Sequence, residues 1–171
     1  MIKLPSVGPR KTNSTIGLCL LMVAMVFSIS GCNIKKVTQI IYSTDSGSIQ
    51  PELQMVEEFA ISREAVSLDR RGKVENTQIL EGQWDFLPDT ELIKDLFDLA
   101  EKNRCQDYKR VEPADPPVGA GTQTITLVYE DDESCVLSYD PGTTYQGAEE
   151  LLNAIRLVLE NLVRAPSATI E

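Results

Sequence analysis

One stretch of the sequence is the strongest indication of the fold: Thr124-Ile-Thr-Leu-Val-Tyr-Glu-Asp-Asp-Glu-Ser-Cys-Val-Leu-Ser-Tyr139. Two runs rich in β-branched and aromatic residues, Thr124–Tyr129 and Cys135–Tyr139, flank a polar turn, which is typical of a β-hairpin. The turn contains four consecutive acidic residues, Glu130–Glu133. They lack the alternating spacing of a calcium loop, so we interpret them as a solvated turn.

An amphipathic helix is predicted on each side of this hairpin. After the hairpin, Gly147–Val163 has apolar residues at helical spacing, and Pro166 ends the pattern. Before the hairpin, Asp89 is a suitable N-cap for a helix that ends near Asn103. The buried stripes are expected to be Leu151, Leu152, Ile155, Val158, Leu159 and Leu162 in one helix, and Leu92, Ile93, Leu96, Phe97 and Ala100 in the other.

Strand patterns fill the chain before the first helix. Val37–Tyr42 is rich in β-branched residues, and Gln54–Ile61 with Ala65–Asp69 predicts a hairpin around Ser62-Arg63-Glu64. A turn at Arg70–Lys73 and a strand at Val74–Phe86, with a bulge at Gly82, are expected to follow. This order predicts an α+β domain over residues 37–164, with one antiparallel sheet of five or six strands and both helices on one face. Residues 165–171 are expected to be a frayed tail.

The N-terminal segment has the pattern of a secretory signal peptide. Lys3, Arg10 and Lys11 precede an apolar run from Ile16 to Ser30. This run has about 15 apolar residues, fewer than the roughly 20 that a spanning helix needs, so we favour cleavage over a transmembrane anchor. Residues 1–31 are therefore expected to be removed.

The end of that segment, Ile29-Ser30-Gly31-Cys32, resembles the lipobox of bacterial lipoproteins. The resemblance implies that Cys32 receives a diacylglycerol, that signal peptidase II cuts after Gly31, and that residues 32–36 form a lipidated tether. Two acyl chains anchor a protein stably to a membrane. The expected location is thus the extracytoplasmic face of a membrane in the bacterial cell envelope, with the membrane contacted through Cys32.

Two further cysteines, Cys105 and Cys135, follow the lipobox. An even pair in an extracytoplasmic domain predicts a disulfide, two separate buried thiols being the alternative. No CxxC redox motif is present.

Charge restricts the partners. The chain has 16 basic and 26 acidic side chains, and removal of the three basic residues before position 32 leaves 13 against 26, a net charge of −13. Such a domain is repelled by phosphate backbones, which argues against nucleic acid and favours a basic protein partner. We expect a monomeric domain.

Catalytic motifs are missing from the sequence. The chain has no histidine, which excludes Ser-His-Asp and Cys-His nucleophiles and the common histidine-ligated metal sites. Walker, GxSxG and SxxK motifs are also absent. We therefore predict no catalytic residues, no metal and no cofactor.

The candidate binding residues lie in two loops. The segment Val111–Gly121 contains three prolines and is long for a connection within a compact domain. If the hairpin at 124–139 forms, Asp140–Tyr145 lies at the same end of the sheet. Asp115, Pro116, Asp140 and Tyr145 are then expected to form a rigid acidic and aromatic contact surface. A simple helix-to-sheet connection is the alternative interpretation of the long loop.

Three functions remain open. The first is a non-enzymatic lipoprotein that binds a protein or assists envelope assembly. The second follows from the order of elements and from Asp45-Ser46-Gly47, which is similar to emfourin-like inhibitors of metalloproteases; Ser46 stands where that family has a glycine, and no inhibitory residue is carried over. The third is an enzyme that uses carboxylates or a bound metal.

Overall fold

The computed structural model describes residues 35–162 and 167–168. The predicted signal peptide, Cys32 and most of the predicted tail lie outside the described residues. The strands are β1 Val37–Asp45, β2 Met55–Ile61, β3 Val66–Gly72, β4 Gly82–Phe86, β5 Lys109–Val111, β6 Thr122–Tyr129, β7 Ser134–Tyr139 and β8 Thr144–Gln146, and the helices are α1 Thr90–Lys102 and α2 Glu149–Glu160.

Six of the strands form one antiparallel sheet in the order β4-β3-β2-β1-β6-β7. β1 lies in its centre and pairs with β2 on one side and with β6 on the other. The hairpin that the sequence predicted at 124–139 is β6–β7, and the hairpin predicted at 54–69 is β2–β3. The α+β class is thus confirmed, and the six strands of the antiparallel sheet agree with the predicted five or six.

Both helices cover the same face of this sheet. Their apolar stripes and the inward residues of the strands form one core, whose largest fully buried members include Phe97, Ile40, Ile61, Leu127 and Ile155. The prediction that Asp89 caps α1 is confirmed, because its Oδ1 accepts hydrogen bonds from the amides of Glu91 at 2.9 Å and Leu92 at 3.1 Å. Burial of the two stripes drives the helices onto the sheet.

The strand predicted at Val74–Phe86 was too long. β3 continues through the predicted turn to Gly72, and β4 begins only at Gly82. The intervening segment is held differently, since the Gln78 amide donates to the Glu52 carbonyl at 2.8 Å. The predicted bulge at Gly82 was also wrong, because the β3–β4 register is continuous there; the register shift of the sheet lies in β1, between Val37 and Gln39.

A second, two-stranded sheet was not predicted. β5 pairs with β8 in antiparallel fashion, with Arg110 opposite Tyr145. The turn before β5 contains Cys105, which forms the predicted disulfide with Cys135 of β7; their Cα atoms are 5.5 Å apart. The disulfide therefore ties the end of the first helix to an edge strand of the main sheet.

Candidate functional site

The two ends of the central strand have different surroundings. At its start, Lys35 donates to Asp131 at 2.7 Å and to Glu133 at 2.5 Å, and Lys36 lies 3.8 Å from Glu130. The acidic β6–β7 turn therefore holds the segment that leads into β1. At the other end of β1, three loops converge; they comprise residues 46–48, 112–121 and 140–143, and we call them the distal platform.

The first two loops of the distal platform are in direct contact. The Ser48 amide donates to the Gly119 carbonyl at 2.9 Å. Gly47 has a φ of 73°, and a Cβ at this position would meet the backbone of Ala120 and Gly121. Only glycine combines that conformation with so close an approach.

The second and third loops also pack together. Gly142 has a φ of 79°, and a Cβ there would lie 2.9 Å from Cγ of Pro113 and 3.0 Å from Cδ of Pro117. The sequence predicted this neighbourhood from the hairpin connection. The proline rings fix the backbone of the long loop where it touches its neighbour.

Arg110 of β5 fastens the third loop to the second sheet. Its guanidinium donates to the Ser138 carbonyl at 2.7 Å, to the Asp140 carboxylate at 2.5 Å and to Glu112 at 3.0 Å. Hydrogen bonds to Asp140, which contributes most, and to Tyr145 and Glu112 raise the pKa of Arg110. Sequence reasoning missed this residue, because its partners are brought together only by the β5–β8 and β6–β7 pairings.

The four residues that the sequence singled out occupy different positions. Asp115 and Pro116 are exposed on the long loop, and Asp140 is exposed while paired with Arg110. Tyr145 is only 8% exposed. Its hydroxyl accepts a hydrogen bond from the Ser138 amide at 3.2 Å, and its ring lies 4.9 Å from that of Tyr139. Tyr145 therefore supports the third loop from beneath, because β8 pairs with β5 and turns this side chain inward.

The outermost apolar group of the distal platform is Val118, whose side chain is 100% exposed. It follows Pro116 and Pro117 and precedes Gly119, whose carbonyl is bonded to Ser48. The loop contacts a neighbouring loop on each side, and it therefore exposes an apolar side chain to solvent in a fixed position. Within the predicted loop this valine could have been noticed as the apolar residue between the prolines and the glycines.

The titration behaviour of the acidic side chains reflects ion pairing. Arg71 and Gln83 hold the pKa of Asp69 at about 2. Hydrogen bonds from Lys73, Arg104 and Lys35 likewise lower the pKa values of Asp45, Asp107 and Asp131, respectively. A general acid needs a carboxyl group whose pKa is raised, and these four are displaced the other way.

Two further observations concern only the described part of the chain. No group of three or more cysteine, aspartate or glutamate side chains there is arranged to hold a metal ion. Neither of its helices is long and apolar enough to cross a membrane.

Comparison of the chain with protein-family models, with curated proteins and with solved structures found no significant match.

Proposed function

We propose that this protein is an extracytoplasmic lipoprotein, anchored through Cys32, whose distal platform binds a partner protein. The observation that carries the proposal is Val118, fully exposed at the tip of a loop that is fixed by two neighbouring loops. Single exposed apolar residues are common on protein surfaces. This one differs because its backbone is already ordered, so that little conformational entropy remains to be lost when it enters a partner.

Charge defines the partner. Glu112 and Asp115 are exposed on the same loop as Val118, and Asp140 is exposed on the neighbouring loop. Arg110 is paired with Glu112 and Asp140. A complementary surface has an apolar pocket for Val118 with lysine or arginine residues on its rim. The net charge of −13 on the mature chain accelerates encounters with such a surface, and salt slows them.

The position of Lys35, in the described part of the predicted tether, supports this arrangement. Lys35 lies three residues after Cys32 and is held at the β6–β7 turn, whereas the distal platform follows the opposite end of β1. Nine residues of strand separate the two ends, which corresponds to about 30 Å. A lipid on Cys32 would therefore leave the platform directed away from the membrane.

Site-specific photocrosslinking in living cells tests the proposal. A photoreactive phenylalanine analogue placed at position 118 of the full-length protein is expected to give one dominant adduct. The matched control is position 136, where Val136 is 55% exposed on the sheet face that the helices do not cover. An adduct at 118 that is absent at 136, and that is lost when Asp115 and Asp140 are changed to Asn, supports the proposal. Equal adducts at both positions, or none at 118, contradict it.

The same loop favours one alternative, a protease inhibitor of the emfourin type. Protein inhibitors of proteases present preorganised segments that change little on binding. In that case the protein crosslinked at 118 is a metalloprotease, and the purified chain inhibits it stoichiometrically. An adduct with a protein that has no protease activity supports the partner-binding function instead.

A further inference from the structure

A row of polar residues crosses the helix-facing side of the main sheet near the distal platform. The strand registers place Tyr139, Gln123, Thr44, Glu57 and Arg70 opposite one another in sequence across β7, β6, β1, β2 and β3. The neighbouring row on the same face is apolar and aromatic: Leu137, Ile125, Tyr42, Phe59 and Leu68. A polar row on the side of the sheet that faces the core needs partners for its side chains.

At one end of this row the polar groups satisfy each other. Nε of Arg70 donates to Glu57 at 2.7 Å, and the guanidinium lies 5.4 Å from the ring centre of Trp84. A second nitrogen of Arg70 donates to the Ser167 carbonyl at 2.8 Å. Arg70 is only 5% exposed, so this end of the row is closed.

The other end of the row opens into a cavity of about 330 Å³. Gln123 and Tyr139 line it from the sheet, and Tyr145 lines it from β8. A volume of this size lies at the lower end of the range for small-molecule sites. The distal platform also lines the cavity, through Ala120, Gly121, Asp140, Pro141, Gly142 and Thr143. The exposed tip at Val118 does not line it.

Helix α2 contributes a stripe with opposite charges at its two ends. Glu149, Leu152 and Arg156 all line the cavity. Their spacing of three and then four residues places them on one face of the helix. The stripe presents a carboxylate, an apolar side chain and a guanidinium in that order over about 10 Å of helix.

Arg156 differs from the other arginines that the structure describes. Each of the others is paired with a carboxylate: Arg63 with Glu101, Arg70 with Glu57, Arg71 with Asp69, Arg104 with Asp107 and Arg110 with Asp140. Arg156 forms no ion pair with any carboxylate in the described residues. Arg156 instead forms a hydrogen bond with Tyr42. Burial raises the pKa values of Tyr42 and Tyr139, and the charge of Arg156 opposes this larger effect.

Tyr139 contributes a hydroxyl group to the same cavity. Its hydroxyl is buried and has no hydrogen-bond partner among the described residues. The cavity therefore brings together the Arg156 guanidinium, the Tyr139 phenol and the Gln123 amide, with apolar walls between them. All three can contribute hydrogen bonds to a carboxylate.

We propose that this cavity binds a short peptide in its zwitterionic form, with the peptide carboxylate at Arg156 and the peptide ammonium at Glu149. A simple anion would be repelled by a domain of net charge −13, whereas a zwitterion carries no net charge. A tripeptide in extended form spans about 10 Å, which matches the charged stripe. Its apolar middle residue lies against Leu152 and Tyr145.

Calorimetric titration of the full-length protein in detergent micelles tests this proposal. The probe is Ala-Leu-Ala, compared with its N-acetyl form, which lacks the ammonium, and its C-terminal amide, which lacks the carboxylate. Removal of either charge is expected to weaken binding by about tenfold, because the peptide then loses one charge-assisted hydrogen bond to the protein.

Charge-removing variants assign each end of the peptide. In Arg156→Gln the acid and the amide should bind equally, while the preference for the free amine is retained. In Glu149→Gln the free and acetylated forms should bind equally, while the preference for the acid is retained. Arg104→Gln and Glu150→Gln remove the same charges away from the cavity and should leave both preferences unchanged.

Three results would overturn the proposal. They are no binding of Ala-Leu-Ala to the wild-type protein at millimolar concentration, equal binding of all three peptides, and an acid preference that survives Arg156→Gln. None of these bears on the contact at Val118, which the cavity does not include.

Discussion

At the residue scale, Tyr139 and Tyr145, which flank the third loop of the distal platform, differ in hydrogen bonding. The Tyr145 hydroxyl accepts a bond from the Ser138 amide, whereas the Tyr139 hydroxyl is buried without a described partner. Burial, with smaller effects from Tyr145 and Glu149, raises the pKa of Tyr139 to about 12 from its ordinary 10.0. The two side chains therefore respond differently to removal of the oxygen.

Tyr139→Phe is expected to leave the free energy of unfolding at pH 7 unchanged or to raise it by about 1 kcal/mol, because an unsatisfied buried hydroxyl is removed. Tyr145→Phe should lower it by about 1 kcal/mol. Urea unfolding of both variants measures the difference. Destabilisation of Tyr139→Phe as large as that of Tyr145→Phe would contradict the assignment.

The pKa of Tyr139 also sets a pH dependence. Between pH 10 and 12 the unfolded chain loses this proton while the folded protein retains it. The free energy of unfolding therefore falls as the pH rises through that window, and below pH 10 this group causes no loss. The loss from this group is expected to be about 1–2 kcal/mol. Unfolding at pH 8, 10 and 11.5 should show a shallower decline for Tyr139→Phe than for the wild type, and equal slopes would exclude the effect.

A comparison of alanine substitutions at Gly142 and Gly119 distinguishes backbone strain from side-chain packing in the distal platform. Their φ values are 79° and 81°, so a change to Ala imposes similar strain at both. Only at Gly142 does the new Cβ meet proline rings at 2.9–3.0 Å; at Gly119 the nearest atom is 3.5 Å away. Gly142→Ala should therefore destabilise the protein by about 1 kcal/mol more than Gly119→Ala. Thermal unfolding would detect the difference, and equal costs would show that the loops do not press on each other.

At the element scale, the Cys105–Cys135 disulfide connects the turn after α1 to β7. The enclosed loop has a sequence separation of 30, for which chain entropy predicts about 3–4 kcal/mol of stabilisation. The double change of Cys105 and Cys135 to Ala should lower the free energy of unfolding by that amount. Reduction of the wild-type protein with dithiothreitol is the matched comparison, and a stability unchanged by both treatments would contradict it.

At the scale of the whole molecule, Lys35 and the distal platform lie at opposite ends of β1, which gives a prediction that depends on lipidation of Cys32. A fluorophore on Asp132→Cys, in the β6–β7 turn, should be quenched strongly by nitroxide-labelled lipid headgroups. The same fluorophore on Val118→Cys should be quenched weakly, because about 30 Å of strand separates the two ends. Equal quenching would reject the orientation. Retention of intact, lipid-bearing Cys32→Ser protein in the membrane fraction would reject the anchor itself.

Local patterns were sufficient for the two hairpins, the first strand and both helices of the main domain, but not for β5 and β8. Alternation marked the two hairpins, helical spacing marked α1 and α2, and Asp89 marked where α1 begins, since these signals depend on near neighbours in the sequence. The pairing of Cys105 with Cys135 followed from their number. The error at Val74–Phe86 arose because the partners of that segment, such as the Glu52 carbonyl, lie outside it.

Only the tertiary structure decided which residues share a site. Thr44, Gln123 and Tyr139 become neighbours through the register of β1, β6 and β7, and a register slip of one residue would place them on the other face of the sheet. Arg110 reaches Asp140, and Gly142 reaches Pro113, through loops distant in sequence. From the sequence alone, the two hairpins, the helices and the class of fold could be predicted, because those depend on local periodicity. The cavity and the distal platform depend on long-range pairing, and so they could be read only from the folded chain.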